Sequence, residues 1–165
     1  MNKFAFFSAF LRTCALLAVF VVSACSSSSD KAQTRYKLYF QAHPEVNASA
    51  PLKVRVFQLK SSADFMGADF YSLQNNAQKV LGNNVVNSDE FFLSSSQSSK
   101  WLTGQFSAEV RYIAVLAEYQ SLDGKKWRIT LPVADTNERH FWQFSSSELK
   151  ADFFLDVRGI QVITR

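Results

Sequence analysis

From Tyr36 onward, apolar and polar residues alternate in short runs. Tyr36, Leu38 and Phe40 alternate with Lys37, Tyr39 and Gln41, and Leu52, Val54 and Val56 alternate with Lys53, Arg55 and Phe57. A period of two sends successive side chains to opposite faces, so both runs predict strands with a buried face. Between them, His43–Pro51 reads as a loop fenced by Pro44 and Pro51. Further strands are predicted at Glu90–Ser94, Lys100–Phe106, Val110–Gln120, Trp127–Val133, His140–Phe144 and Phe153–Ile163, the last breaking at Gly159. Asp123-Gly124 marks a hairpin turn between Tyr119 and Trp127. Over residues 61–82 the period changes, with Phe65, Phe70, Tyr71, Leu73, Val80 and Leu81 at helix-like spacings and Gly67 dividing them. Ser62 is expected to cap a first short helix, and Asn76 a second over Ala77–Leu81, with Gly82 as its left-handed stop. Helices this short are unstable alone, so their rings must pack on a sheet. About eight short strands with one helical insertion predict an all-β fold, an antiparallel β-sandwich.

The first 35 residues follow another pattern. Met1–Val22 is mostly apolar, with Lys3 and Arg12 as its charges, and Thr13–Val22 is an uninterrupted apolar core. That length suits a signal-peptide core of ~7–15 residues, not a spanning helix of ~20. Val22-Ser23-Ala24-Cys25 then resembles the lipobox of bacterial lipoproteins: an aliphatic residue, two small residues and a cysteine. In that class the signal is cut before the cysteine, which carries the acyl chains. Residues 1–24 are thus read as a lipoprotein signal peptide, and Cys25 as the lipidated residue. Residues 25–35, with four consecutive serines, are read as the lipidated Cys and a flexible tether. Ten such residues reach roughly 17 Å on average and ~35 Å when taut. Residues 36–165 are the sandwich domain. Ser26 stands where an Asp would resemble an inner-membrane retention signal, which points to the outer membrane, facing the periplasm.

Composition sharpens this picture in three places. The formal charge of +4 over 165 residues falls to +2 when Lys3 and Arg12 leave with the signal, so there is no case for nucleic acid. Of the two cysteines, Cys14 lies in the signal and Cys25 takes lipid, so the domain is held by its core without a disulfide. The chain shows no nucleophile elbow, no metal-spaced His/Asp/Glu cluster and no Gly-rich phosphate loop, and His43 and His140 lie in unrelated contexts. The expectation is a non-enzyme without a cofactor, a metal or a small-molecule substrate.

Residues from Tyr36 to the end resemble one family. Pro51-Leu52-Lys53-Val54-Arg55-Val56-Phe57-Gln58-Leu59 is similar to a signature strand of the TssJ lipoproteins of type VI secretion, also called SciN or VasD. Tyr36 through Ala42 to Asn47 resembles that family's first strand and Asn-containing loop. Asp64-Phe65, Ala68-Asp69-Phe70-Tyr71-Ser72-Leu73 and Leu81-Gly82 resemble its helical insertion. Ala114–Tyr119, Asp123 and Trp127-Arg128 resemble its later strand, hairpin and Trp-Arg pair. Departures are Tyr119-Gln120 where many members have Phe-Arg, Phe57 for a common Tyr, and a Ser-rich 94–99 stretch for a Pro-Gly turn. The resemblance implies a transthyretin-like sandwich at the inner leaflet of the outer membrane. It also implies a partner, the periplasmic domain of the inner-membrane protein TssM, with TssL joining the complex indirectly.

In that family the loop between the first two strands contacts TssM, which puts His43, Pro44, Glu45, Val46, Asn47 and Ala48 forward as partner-binding residues. Two prolines lower the ordering cost of binding, and Val46 is expected to offer an apolar knob. The plainer reading of this loop is a solvated connection. Trp127-Arg128 reads either as a binding hot spot or, more simply, as a core Trp beside a solvent-facing Arg. Trp101 and Trp142 share the core reading. Lys125-Lys126 with Arg128 is either a lipid-headgroup patch or a solvated turn. The rival function is a periplasmic lipoprotein that binds a small ligand or cell-wall fragment in a cavity lined by Phe65, Phe70 or Leu73.

Overall fold

The alternating runs become two stacked sheets. The computed structural model describes residues 34–133 except Ser49, and residues 148–164. The predicted signal, Cys25, the tether up to Gln33 and the predicted strand His140–Phe144 with Trp142 lie outside the described residues.

Among the described residues there are eight strands: β1 (Arg35–Ala42), β2 (Leu52–Leu59), β3 (Val85–Leu93), β4 (Ser99–Gln105), β5 (Tyr112–Glu118), β6 (Arg128–Pro132), β7 (Glu148–Asp156) and β8 (Gly159–Thr164). A lateral sheet has the order β4-β1-β7-β8, and a central sheet has the order β3-β2-β5-β6. Every neighbouring pair is antiparallel except β1 with β7, which run parallel. The β3 strand starts five residues before the predicted Glu90, at Val85. It is an edge strand, so Asn87 and Ser88 face water and hide its period. The predicted last strand breaks as expected at Gly159, giving the β7–β8 hairpin.

Inward side chains of both sheets meet in one core: Leu38 and Phe40, Val54 and Val56, Ile113 and Val115, Phe153 and Leu155. Phe40 stacks on Phe153 with ring centroids 4.7 Å apart. The central sheet is also buried on its other face. There Phe57, Leu59, Ala114 and Leu116 carry α1 (Ala63–Gly67) and α2 (Phe70–Leu81), which set Phe65, Phe70, Leu73, Ala77 and Leu81 against them. Each such large apolar side chain contributes about 1.5–3 kcal/mol on burial. Of the three residues named for the rival function's cavity, Phe65 and Leu73 are 0% exposed and packed, whereas Phe70 borders an open groove.

Capping differs from the sequence reading. Ser62 makes no side-chain cap; Ser61 Oγ instead accepts from the Ala63 amide. Asn76 makes no side-chain cap, but its non-helical backbone (φ −137°, ψ 32°) kinks α2 where the sequence predicts a second helical segment to begin. The cap of α2 is Asp69, whose carboxylate accepts from the Ser72 amide at 2.9 Å and from its hydroxyl at 2.6 Å. Two arginines on the outer face of the central sheet hold the insertion. Arg55 Nη1 donates to the Leu73 and Gln74 carbonyls at 2.9 and 3.2 Å, just before the kink. Arg128 Nη1 donates to the carbonyls of Phe65, at 2.8 Å, and Ala68, at the end of α1. Carbonyls at helix ends and kinks lack in-line partners, and a guanidinium supplies several donors at once.

One close approach joins the sheets. Gly159 has φ +117°, and a Cβ there would lie 2.4 Å from the Lys126 backbone nitrogen and oxygen. The Lys126 amide donates to Arg158 O (3.0 Å), and the Ile160 amide donates to Lys126 O (2.7 Å). Gly159→Ala is therefore expected to cost about 2–3 kcal/mol in urea denaturation, through backbone strain and loss of this contact.

The Asp69 cap predicts a pH effect. Its hydrogen bonds to the Ser72 hydroxyl and amide hold the carboxyl below its ordinary value of 3.8. A folded value below the unfolded one means that the cap stabilises fully above that pH and that this contribution fades as pH falls through the lower folded value. Asp69→Ala should lower the Tm at neutral pH and remove that part of the acid sensitivity, as thermal melts across pH would show.

Candidate functional site

One end of the sandwich gathers the β1–β2 loop, the β5–β6 loop (119–127) and the β7–β8 turn at Val157-Arg158. The β1–β2 loop is built on Asn47. This residue is 4% exposed; its Nδ2 donates to Pro51 O at 3.2 Å, and its Oδ1 accepts from the Gln120 amide at 2.8 Å. The side chain thus closes its own loop and ties it to the next. The His43 amide adds a bond to Leu155 O at 2.8 Å, which fixes the loop to β7. Ala48 takes a left-handed conformation (φ +50°), unfavourable for a residue with a Cβ by about 1–2 kcal/mol. The surrounding bonds hold that conformation in place.

Of the six residues put forward for binding, His43, Pro44, Glu45 and Ala48 are exposed. Val46 and Asn47 are not. Val46 is 4% exposed and joins the main core, so the expected apolar knob is instead an apolar peg. The local pattern gave no sign of this, because the core that Val46 joins is assembled from residues along the whole domain. Gln120, a departure from the family pattern, is exposed, and nothing in the sequence signals that its backbone amide is the partner of Asn47. A shallow depression of about 490 Å³ lies along this loop, with Glu45, Ala48, Lys125 and Val157 in its lining.

The other sequence candidates separate. Trp127 is half-buried and meets Phe70 edge-on at 5.3 Å, in keeping with the core reading. Arg128 does not face solvent: it stacks over Trp127 at 4.4 Å and grips α1. The supposed basic patch is therefore dispersed, since Lys125 lies over the Tyr119 ring at 5.0 Å and Lys126 bonds through its backbone to the β7–β8 turn. Burial, reinforced by the charge of Asp156, pushes the Tyr119 phenol well above its usual range, so it stays neutral. Trp101 corrects the core reading: it is 51% exposed on β4, stacked on Tyr39 at 4.5 Å under Lys37 Nζ. The Glu118 side chain is 9% exposed. His43 is exposed on the loop, and His140 lies outside the described residues. Among the described residues no His/Cys/Asp/Glu group is placed to hold a metal ion, and no helix is long and apolar enough to cross a membrane.

The family described as type VI secretion lipoprotein (VasD, EvfM, TssJ) matches residues 34–154. Serratia marcescens Lip, described as a membrane-bound component of the type VI secretion system, is 49% identical, with 79% of this chain and 97% of that chain covered and a TM-score of 0.71. The type VI lipoprotein TssJ1 from Pseudomonas aeruginosa is 29% identical, with 81% and 97% covered and a TM-score of 0.69. A chain of a solved type VI membrane complex, 17% identical over 79% of this chain and 98% of that one, shares the fold at a TM-score of 0.62. No curated protein sequence matches the chain.

The corrected burial yields a prediction. Val46→Asp places a carboxylate in the core and should destabilise the domain by about 3 kcal/mol or more in denaturant titration. Glu45→Lys, one residue away but exposed, should shift stability by less than about 0.5 kcal/mol.

Proposed function

The chain belongs to the type VI secretion lipoprotein family, and from that membership we propose that it is a non-catalytic anchor at the outer membrane. In this reading the acyl chains on Cys25 hold it in the inner leaflet, facing the periplasm. Its loop end docks the periplasmic domain of a TssM-like inner-membrane protein, and TssL joins through that partner. Three acyl chains, as bacterial lipoproteins carry, anchor durably where one alone is marginal.

The observation that carries the proposal is the course of β1. Strand β1 begins at Arg35, where the Ser-rich tether ends, and delivers the chain to the β1–β2 loop after Ala42. Eight residues of strand span about 26 Å. The loop therefore lies at the opposite end of β1 from the point where the chain enters the domain. A partner rooted in the opposite membrane approaches that end. The Asn47 bonds preorganise the loop, which lowers the ordering cost of docking. His43, Pro44, Glu45 and Ala48 supply the contact surface, while Val46 and Asn47 position it.

Two substitutions test the halves of this proposal. Cys25→Ser should give a folded protein that leaves the envelope fraction and no longer supports secretion; normal secretion by that variant refutes the tethering role. Glu45→Lys should weaken capture of the TssM-like periplasmic domain by about tenfold at unchanged Tm. Undiminished capture moves the docking surface off this loop.

A further inference from the structure

The helical insertion leaves one strip of the central sheet uncovered. Between α2 and the β5–β6 loop lies an open groove of about 640 Å³, within the ~300–1,000 Å³ of small-molecule sites. Its floor is a row of cross-strand neighbours, Phe92 on β3, Lys53 on β2 and Glu118 on β5. Tyr71 and Gln74 of α2 form one wall, and Gln120 belongs to the other.

Three features of this groove point to a ligand. Tyr71 and Phe92 are 66% and 56% exposed, two aromatic rings left to water on one concavity. The Glu118 side chain is only 9% exposed, and its Oε2 accepts from Gln74 Nε2 at 3.1 Å. Its Oε1 is buried and ion-paired with Arg55 Nη1 at 3.8 Å, so the carboxylate is held rigidly beneath the groove and keeps Gln74 in place on the wall. Finally, both charges on the floor are already countered, Lys53 by Glu90 at 3.0 Å and Glu118 by Arg55 at 3.8 Å, which favours a neutral polar ligand over an ion.

We propose that this groove binds a neutral saccharide chain. Such a ligand offers apolar C–H faces to aromatic rings and hydroxyl or acetamido donors to carboxylates and side-chain amides, and the groove presents both kinds of partner. A protein partner fits less well. Protein-docking faces place an apolar core inside a polar rim, whereas here the charged row lies on the floor and Tyr71 stands on the wall. The groove opens at the loop end of the domain, beside Asn47 and Pro51. This proposal does not depend on TssM docking.

The full chain, solubilised in detergent, is titrated with triacetylchitotriose and with cellotriose by saturation-transfer NMR and calorimetry. Saturable binding of either sugar in the millimolar range or tighter is expected. Tyr71→Ala should weaken it about tenfold, whereas Trp101→Ala, an exposed ring on the other sheet, and Glu45→Lys in the docking loop should leave it unchanged. Glu118→Gln should weaken it as well, and circular dichroism reports whether that variant folds. Absence of saturation with both sugars overturns the proposal. So does equal binding by the wild type and Tyr71→Ala. A Tyr71→Ala variant that loses capture of the TssM-like domain while neither sugar binds the wild type also overturns it, because the groove is then a protein-docking surface.

Discussion

A sheet buried on both faces is the constraint on which the rest of this structure depends. Strands β2 and β5 turn Val54, Val56, Ile113 and Val115 toward the lateral sheet and Phe57, Leu59, Ala114 and Leu116 toward the helices. Neither layer can leave without exposing a face of the central sheet to water. The helical layer is short and kinked, and it could not persist alone. Apolar burial holds it down, while Arg55 and Arg128 fix where it sits by donating to backbone carbonyls that no helix turn can satisfy. Arg55 also lies 3.8 Å from Glu118 and 3.6 Å from Glu90, so its charge is countered on the sheet it springs from.

The same arrangement shapes the functional end. Because the sandwich core takes Val46 and the β5–β6 loop takes Asn47, the β1–β2 loop is an extension of the core with a polar outer surface. The left-handed backbone at Ala48 persists because bonds on both sides of it are already made. Gly159 performs the matching task on the other sheet by letting the β7–β8 turn reach the Lys126 backbone. Loop, hairpin and turn are thus cross-braced, and a partner meets a surface that has already lost its conformational freedom.

The proposed use of this surface rests on family membership and on connectivity. A relative 49% identical to the chain is a membrane-bound component of the type VI secretion system. In the proposed reading, β1 separates attachment at its start from recognition at its end. The groove beside α2 is a product of the insertion, because its walls exist only where the helices stop short of the sheet's edge.

Much of this was legible in the chain. The alternation in β1 and β2, the helical change of period over 61–82, the turn at Asp123-Gly124 and the break at Gly159 are local patterns, and backbone geometry alone translates them into elements. The ordered resemblance of residue runs to one secretion family likewise needed no coordinates. What the chain could not express is which polar side chain finds which distant partner. Arg128 and α1, Asn47 and Gln120, and Val46 and its pocket are pairs or contacts brought together by stacking layers. The parallel pairing of β1 with β7 has the same origin, since it joins segments at opposite ends of the domain. Period and turn chemistry act over a few residues, so the sequence by itself determined the elements. Burial and hydrogen-bond satisfaction act across the folded volume, so only the tertiary structure decided that Val46 is a peg, Arg128 a clamp and Trp101 an exposed ring.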